Sequence, residues 1–225
     1  MSSVASRVVE GNPEDDLTIA ASMVFGIPLV PTDAIAVLPT GMGEPWRVCD
    51  AINLWQESRA SAGYRFLLIP GNNPDEPFTK DHTLVTLTRP PYNLRKTRGV
   101  VLTQYAQHTP EQCEWILERA LERSVDSITL CGPQYHLFRG YLTFVRAMIR
   151  VKVRIPLIPR PTPVSPQAIT AMTKVSAWEM ARAEPERIRE YRPRDVATYL
   201  ELREYLNWLW EQPPLAEISG RLLTR

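Results

Sequence analysis

Short apolar runs alternate with amphipathic stretches over the first 160 residues of the 225-residue chain. Apolar residues recur with a helical period in the amphipathic stretches, which predicts helices over residues 46–59, 110–124 and about 135–150. The apolar runs have the length and the β-branched content of buried parallel strands; they cover residues 33–38, 64–69, 99–103, 127–131 and 153–158. This order predicts an α/β fold with a doubly wound, mostly parallel sheet of about five strands and helices on both faces.

A separate apolar run, residues 17–30, follows an acidic start of the chain. Asn12 suits an N-cap, Pro13 suits the first helical position and Gly26 suits the end, so a helix is predicted over about residues 13–25. The run has 14 residues, whereas a bilayer span needs about 20, and no signal-peptide pattern precedes it. Three cysteines without a C-x-x-C pair favour a reducing compartment. We therefore expect a cytoplasmic protein with no membrane anchor.

Two stretches interrupt the alternation. Residues 70–98 are rich in proline, asparagine and charge, and only residues 83–87 resemble a strand there. The proline-rich residues 159–166 end the pattern. Two helical patterns follow them, at residues 168–182 and 195–211. The sequence thus predicts a Rossmann-like domain over residues 1–160 and a helical C-terminal extension over residues 161–225, whose apolar side chains pack on the domain or form a homo-oligomer contact.

The overall charge favours no polyanionic partner. There are 26 basic and 25 acidic side chains, a net charge of +1, so no general field attracts nucleic acid or an anionic membrane. Arginines at residues 89–98 could contact nucleic acid locally, but a solvated surface loop is the favoured interpretation. The predicted partner is a small molecule.

The loop after the first predicted strand contains Gly41 and Gly43, the beginning of a dinucleotide-binding pattern. Trp46 stands where that pattern needs its third glycine, and no phosphate-binding P-loop sequence occurs, so binding of NAD or of a nucleoside triphosphate in these ways is not expected. Backbone N–H groups near the two glycines could still hold an anion. A turn without a ligand is the equal alternative.

The loop after the strand that ends at Cys131 places Tyr135 and His136 at the start of a helix, with Arg139 one turn on. Histidine can act as an acid, base or hydrogen-bond donor near neutral pH, so His136 and Arg139 are the predicted catalytic pair. A structural histidine is the alternative. Cys131 is predicted to lie in the core, and the histidine spacing predicts no metal site.

These segments resemble the YdcF/SanA/ElyC-like family over about residues 33–157. The segment that opens the helix after the fourth strand matches fully, and other positions match in part; the matching residues are Tyr135, His136, Arg139, Thr109, Glu111, Arg47 and Gly71. The segment over residues 103–112 departs from the family pattern: Thr103 replaces an acid, Ala106 a serine, and His108 and Gln112 replace asparagines.

The resemblance implies a Rossmann-like protein that binds a nucleotide-like or phosphorylated ligand, and S-adenosylmethionine is a cofactor it suggests. The expected ligand-binding residues are Gly41, Gly43, Arg47, Gly71, His108, Thr109 and Tyr135, beside His136 and Arg139. Because polar groups of the pattern are missing, whether the protein is an enzyme stays open. The alternative is a catalytically degenerate module that binds or assembles through its C-terminal helices.

Overall fold

The computed structural model of the protein describes residues 13–39, 44–57, 63–71, 82–103, 106, 108–170 and 173–223. Its centre is a sheet of five parallel strands in the order β3-β2-β1-β4-β5. The strands are β1 (Ala34–Val37), β2 (Phe66–Ile69), β3 (Val100–Leu102), β4 (Ile128–Pro133) and β5 (Leu157–Thr162). The predicted doubly wound α/β fold is confirmed, and the strands form where the apolar runs predicted them, apart from a shift of β5.

Helices cover both faces of the sheet. They are α1 (Pro13–Phe25), α2 (Trp46–Glu57), α3 (Leu84–Leu87), α4 (Thr109–Glu122), α5 (Gln134–Arg150), α6 (Ala177–Tyr191), α7 (Tyr199–Trp210) and α8 (Leu215–Leu223). Side chains alternate between the faces along β1: Ile35 and Val37 join the core under α2, while Ala36 joins the larger core under α4 and α5. No helix in the described ranges combines the length and the apolar composition needed to cross a membrane.

The strand predicted at residues 83–87 is wrong, because this segment forms the short helix α3. The Thr83 hydroxyl accepts from the Thr86 N–H at 3.1 Å, and the Thr86 hydroxyl accepts from the Thr83 N–H at 2.9 Å. These reciprocal bonds satisfy N–H groups at the helix start. The hydrogen bonds between these two threonines, three residues apart, therefore favour a helix here, although both residues are β-branched.

The fifth strand lies later than predicted. Residues 153–158 were expected to form it and residues 159–166 to break the pattern, but β5 runs from Leu157 to Thr162 and includes Pro159 and Pro161. An edge strand tolerates proline, because the missing N–H groups can lie on the side that has no neighbouring strand. In the described sheet β5 pairs only with β4, opposite Leu130 and Gly132 at the two prolines.

The C-terminal helices also differ from the prediction. The helix expected at residues 168–182 is α6, which begins nine residues later at Ala177, after a capping box between Ser176 and Glu179. The helix expected at 195–211 begins at Tyr199, and α8 was not predicted. Helix α4, predicted from residue 110, begins at Thr109, and His108 occupies the cap position.

The C-terminal third shares its core with the sheet. Leu202, Tyr205 and Leu209 of α7 lie in the same buried cluster as the α4 and α5 side chains. The Tyr205 hydroxyl accepts from the Leu157 N–H at 2.9 Å and donates to the Ile155 carbonyl oxygen at 2.8 Å. Helix α7 is thus tied to the start of β5, which itself crosses the boundary predicted at residue 160. The division into two parts stays a prediction.

Candidate functional site

The candidate site lies where the strand order reverses. From β1 the chain goes to β2 and β3 on one side, and then returns to β4 and β5 on the other. Ligands in open parallel sheets bind outside the carboxyl ends of the strands at such a switch point. Two helices begin there with predicted site residues in their first turn: Arg47 on α2 follows β1, and Tyr135 and His136 on α5 follow β4.

Arg47 is only 1% exposed and is held from several sides. Its Nη2 donates to the Tyr135 hydroxyl and forms an ion pair with Glu44. The guanidinium also lies over two aromatic rings, 5.2 Å from the Trp46 centroid and 5.4 Å from that of Tyr135. These contacts fix the orientation of the guanidinium before any ligand binds.

Tyr135 connects the two helices at the site. Its hydroxyl accepts from Arg47 and donates to Oε2 of Glu44 at 3.2 Å. Burial raises the pKa of Tyr135 to about 12, although the charge of Arg47 acts in the opposite direction. The phenol therefore keeps its proton at neutral pH and remains a donor to Glu44.

His136 belongs to a second polar group, which joins α5 to α6. Its Nδ1 lies 3.0 Å from Nη2 of Arg139. Arg139 donates from Nε to Oε2 of Glu184 at 2.6 Å and from Nη2 to Oε1 at 3.4 Å, so the two side chains form a bidentate ion pair. Arg187 donates to the same Oε1 at 2.8 Å, and the Arg139 guanidinium lies over the Tyr191 ring at 5.6 Å.

The protonation of His136 follows from these neighbours. Burial lowers the pKa of His136 well below its usual value, and the charges of Arg139, Arg47 and Arg187 lower it further. The ring is therefore neutral at physiological pH. A guanidinium can only donate hydrogen bonds, so Nδ1 of His136 is the acceptor and Nε2 carries the proton.

Three buried nitrogen positions at this switch point have no hydrogen-bond partner among the described residues: Nε2 of His136, and Nε and Nη1 of Arg47. All three are donors. Buried polar groups are normally satisfied, so donors left open in this way indicate a place for a bound acceptor. The three arginines of the site face two glutamates, which leaves an excess of positive charge. The arrangement suits a ligand that presents negatively charged oxygens.

The other predicted site residues lie in different places. Gly71 follows β2 and is buried, and its carbonyl oxygen accepts from Nε2 of Gln112 on α4 at 3.4 Å. Thr109 is partly buried, and His108 is exposed to solvent. The contacts of the described residues do not connect His108 or Thr109 with His136. Gly41 and Gly43 lie outside the described residues.

Cys131 is confirmed as a core residue. It is fully buried among the side chains under α2. Burial raises the pKa of its thiol to about 12. A thiolate nucleophile is therefore not available at this position near neutral pH. Within the described ranges, no group of three or more His, Cys, Asp or Glu residues could hold a metal ion.

The sequence prediction missed Glu44, Glu184 and Arg187. A local signal existed for Glu44, because an acid three residues before an arginine can pair with it on a helix start. The same spacing joins Glu184 and Arg187. Nothing local links Glu184 to Arg139, which precedes it by 45 residues.

A groove of about 540 Å³ lies away from these residues, between α4 and α5. Its charged lining is already paired, since Arg150 contacts Glu114 at 2.7 Å and Asp195 at 3.4 Å. The size of a groove alone does not indicate chemistry. The switch point is the stronger candidate, because buried donors remain open there.

No protein-family model matches the chain, and no curated protein matches it in sequence. The resemblance to the YdcF/SanA/ElyC-like family stays a prediction. The fold and the geometry around His136 and Arg47 are therefore the basis for the functional argument.

Proposed function

We propose that the protein binds a small anionic ligand, of the phosphorylated or nucleotide-like class, at the carboxyl ends of β1 and β4. The observation that carries this proposal is the set of buried donors without a partner, Nε2 of His136 with Nε and Nη1 of Arg47. Phosphate and carboxylate oxygens are the acceptors that such donors recognise. S-adenosylmethionine presents a carboxylate and belongs among the candidates.

The rigidity of the site supports binding. Nη2 of Arg47 already contacts Glu44 and Tyr135, and the guanidinium lies over the Trp46 ring. Only Nε and Nη1 are left for a ligand. A ligand then does not have to order this side chain, and the entropy cost of binding is reduced. His136 is likewise held by Arg139.

The roles of the two predicted catalytic residues differ in this proposal. His136 contacts the ligand as a neutral donor through Nε2–H. Arg139 has Nε and Nη2 engaged with Glu184 and His136, so it supports the imidazole and contributes charge. Binding is proposed here, and the contacts assign no proton-transfer step to either residue.

The alternative, assembly through the C-terminal helices, has less support. The apolar side chains that would form an assembly surface on α7 are largely used inside the molecule, since Leu202, Leu206 and Leu209 are buried in the core. Leu200 on α7 and Trp178 on α6 are exposed, and apolar residues exposed singly are ordinary for a protein surface.

Thermal unfolding with a ligand panel tests the proposal. The panel contains inorganic phosphate, AMP and S-adenosylmethionine, with uncharged adenosine as the matched control for AMP. A ligand present at 100 times its dissociation constant adds about 2.7 kcal/mol of stability, which for a chain of this size raises Tm by roughly 5–10 °C. We expect AMP to raise Tm and adenosine to leave it unchanged.

A variant then links binding to the site. Arg47→Lys keeps a positive charge near Glu44 but removes the Nε and Nη1 donors, so we expect the affinity for the stabilising anion to fall about tenfold, as for a lost charge-assisted hydrogen bond. Arg65→Lys is the control, because the Arg65 side chain is half-exposed. The proposal fails if no anion of the panel shifts Tm, or if calorimetry gives Arg47→Lys the wild-type affinity.

A further inference from the structure

Glu184 of α6 is buried, with 6% of its surface exposed, although it lies in the part of the chain predicted as an extension. Both of its carboxylate oxygens accept from arginines. Oε2 accepts from Arg139, and Oε1 accepts from Arg139 and Arg187. A buried carboxylate that makes three such bonds holds its partners in one geometry.

The first of these partners contacts His136. Nη2 of Arg139 is shared between Oε1 of Glu184 and Nδ1 of His136. Glu184 itself is 4.0 Å from Nδ1, beyond hydrogen-bond distance, so it does not orient the ring directly. The connection from α6 to the imidazole therefore runs through the Arg139 guanidinium.

We propose that Glu184 is a positioning residue: through Arg139 it keeps Nδ1 of His136 as an acceptor, and so presents Nε2–H as the donor for the ligand's oxyanion. This inference rests on the proposed function for the ligand, but the tautomer itself does not. It makes α6 a part of the binding site. It also means that the imidazole binds an anion without carrying a charge of its own.

The choice of tautomer matters for the ligand class. A ring with the proton on Nδ1 would present a lone pair at Nε2 and would repel a phosphate oxygen. The charges that surround the ring from three elements keep it neutral: Arg139 on α5, Arg47 on α2 and Arg187 on α6. A donor proton on Nδ1 would face the N–H of Arg139 at 3.0 Å.

Nitrogen NMR of protein labelled with ¹⁵N-histidine tests the inference without any ligand. The chain has three histidines, and the signals lost in His136→Asn identify His136. We expect an unprotonated Nδ1 and a protonated Nε2, with both shifts constant through about pH 6.5, where a free imidazole titrates. A protonated Nδ1, or titration near pH 6.5, overturns the inference.

Glu184→Gln is the sharpest variant, because it keeps the shape of the side chain. In either amide orientation the new NH₂ group would face an arginine N–H, since both carboxylate oxygens accept from arginines in the native protein. We expect the two ¹⁵N shifts of His136 to converge as both tautomers become populated, and the affinity for AMP to fall about tenfold. The matched control is Glu186→Gln on the exposed side of α6, which should change neither.

The outcomes separate the two claims. Unchanged His136 shifts in Glu184→Gln overturn the positioning role. The expected shifts without binding of phosphate, AMP or S-adenosylmethionine support the positioning role and overturn the proposed function. The wild-type spectrum alone decides the tautomer, so the inference is tested even if Glu184→Gln does not fold.

Discussion

Leu38, directly after β1, fills the space beside Gly140 on α5: a Cβ atom added at Gly140 would lie 2.2 Å from Cδ1 of Leu38. Leu38 is fully buried, so its side chain has no free space to enter. The glycine thereby lets α5 approach the end of β1. This close approach brings the first turn of α5, with its site residues, beside the strand that leads to α2.

We expect Gly140→Ala to lower the free energy of unfolding by about 1–2 kcal/mol. Overpacking in a core costs about 1–3 kcal/mol, and the better helix propensity of alanine returns up to about 1 kcal/mol. Urea unfolding measures the difference. Gly220→Ala is the matched control: an added Cβ at this exposed helical glycine meets nothing within 4 Å. That variant should be as stable as wild type or up to about 1 kcal/mol more stable, and equal effects of the two substitutions would contradict the packing argument.

The depressed pKa of His136 predicts a pH dependence of stability. Burial and the charges of Arg139, Arg47 and Arg187 keep the folded pKa below the unfolded value of about 6.5. Below that pH the unfolded chain takes up a proton that the folded protein does not, so stability is complete above about pH 6.5 and decreases as the pH falls, by at most about 1.4 kcal/mol per pH unit. Glu184, which lies near the imidazole, forms ion pairs with Arg139 and Arg187.

Denaturant unfolding at several pH values from about 7.5 to 5, the range in which an imidazole titrates, measures how the free energy of unfolding depends on pH. His136→Asn should flatten the dependence below about pH 6.5 even if its stability is lower throughout. The control is His108→Asn, which removes an exposed histidine and leaves His136 in place, so the part of the slope that His136 causes should remain. Parallel curves for wild type and His136→Asn would show that another group titrates.

The sequence predicts the positions of those residues whose structure depends on their neighbours along the chain. Buried strands and the helix start near Tyr135 follow from local apolar runs and from the strand-end rule. Arg47 lies in the first turn of a helix that the apolar pattern predicted, but it was predicted as a site residue only from the family resemblance. Glu184 could not be placed in this way. Its role depends on a contact with Arg139 across 45 residues, and on the register of α6, which the apolar pattern put too early.

The edge strand β5 is a second feature that local sequence does not predict. Pro159 and Pro161 normally argue against a strand, and only the position of β5 at the side of the sheet makes them acceptable. The start of this strand is also held by Tyr205 of α7, whose hydroxyl accepts from the Leu157 N–H. A contact between segments 48 residues apart leaves no mark on the pattern of either segment.

Glu44 limits how strongly the site can attract an anion, because its buried carboxylate pairs with Arg47 and accepts from Tyr135. Glu44→Gln removes the negative charge and leaves the guanidinium uncompensated, which should lower stability by about 3 kcal/mol. The same change should make phosphate or AMP bind about tenfold more tightly, since the anion then replaces the lost charge.

Two measurements distinguish this from a general loss of structure. In the absence of ligand, Tm of Glu44→Gln should be lower than that of wild type. Saturating AMP should raise Tm of Glu44→Gln by more than it raises Tm of wild type. Glu57→Gln, at the exposed far end of α2, the helix that follows Glu44, should change neither quantity. If Glu44→Gln bound AMP no better than wild type, the anion would not be meeting the Arg47 guanidinium, and the ligand would have to contact the site through His136 alone.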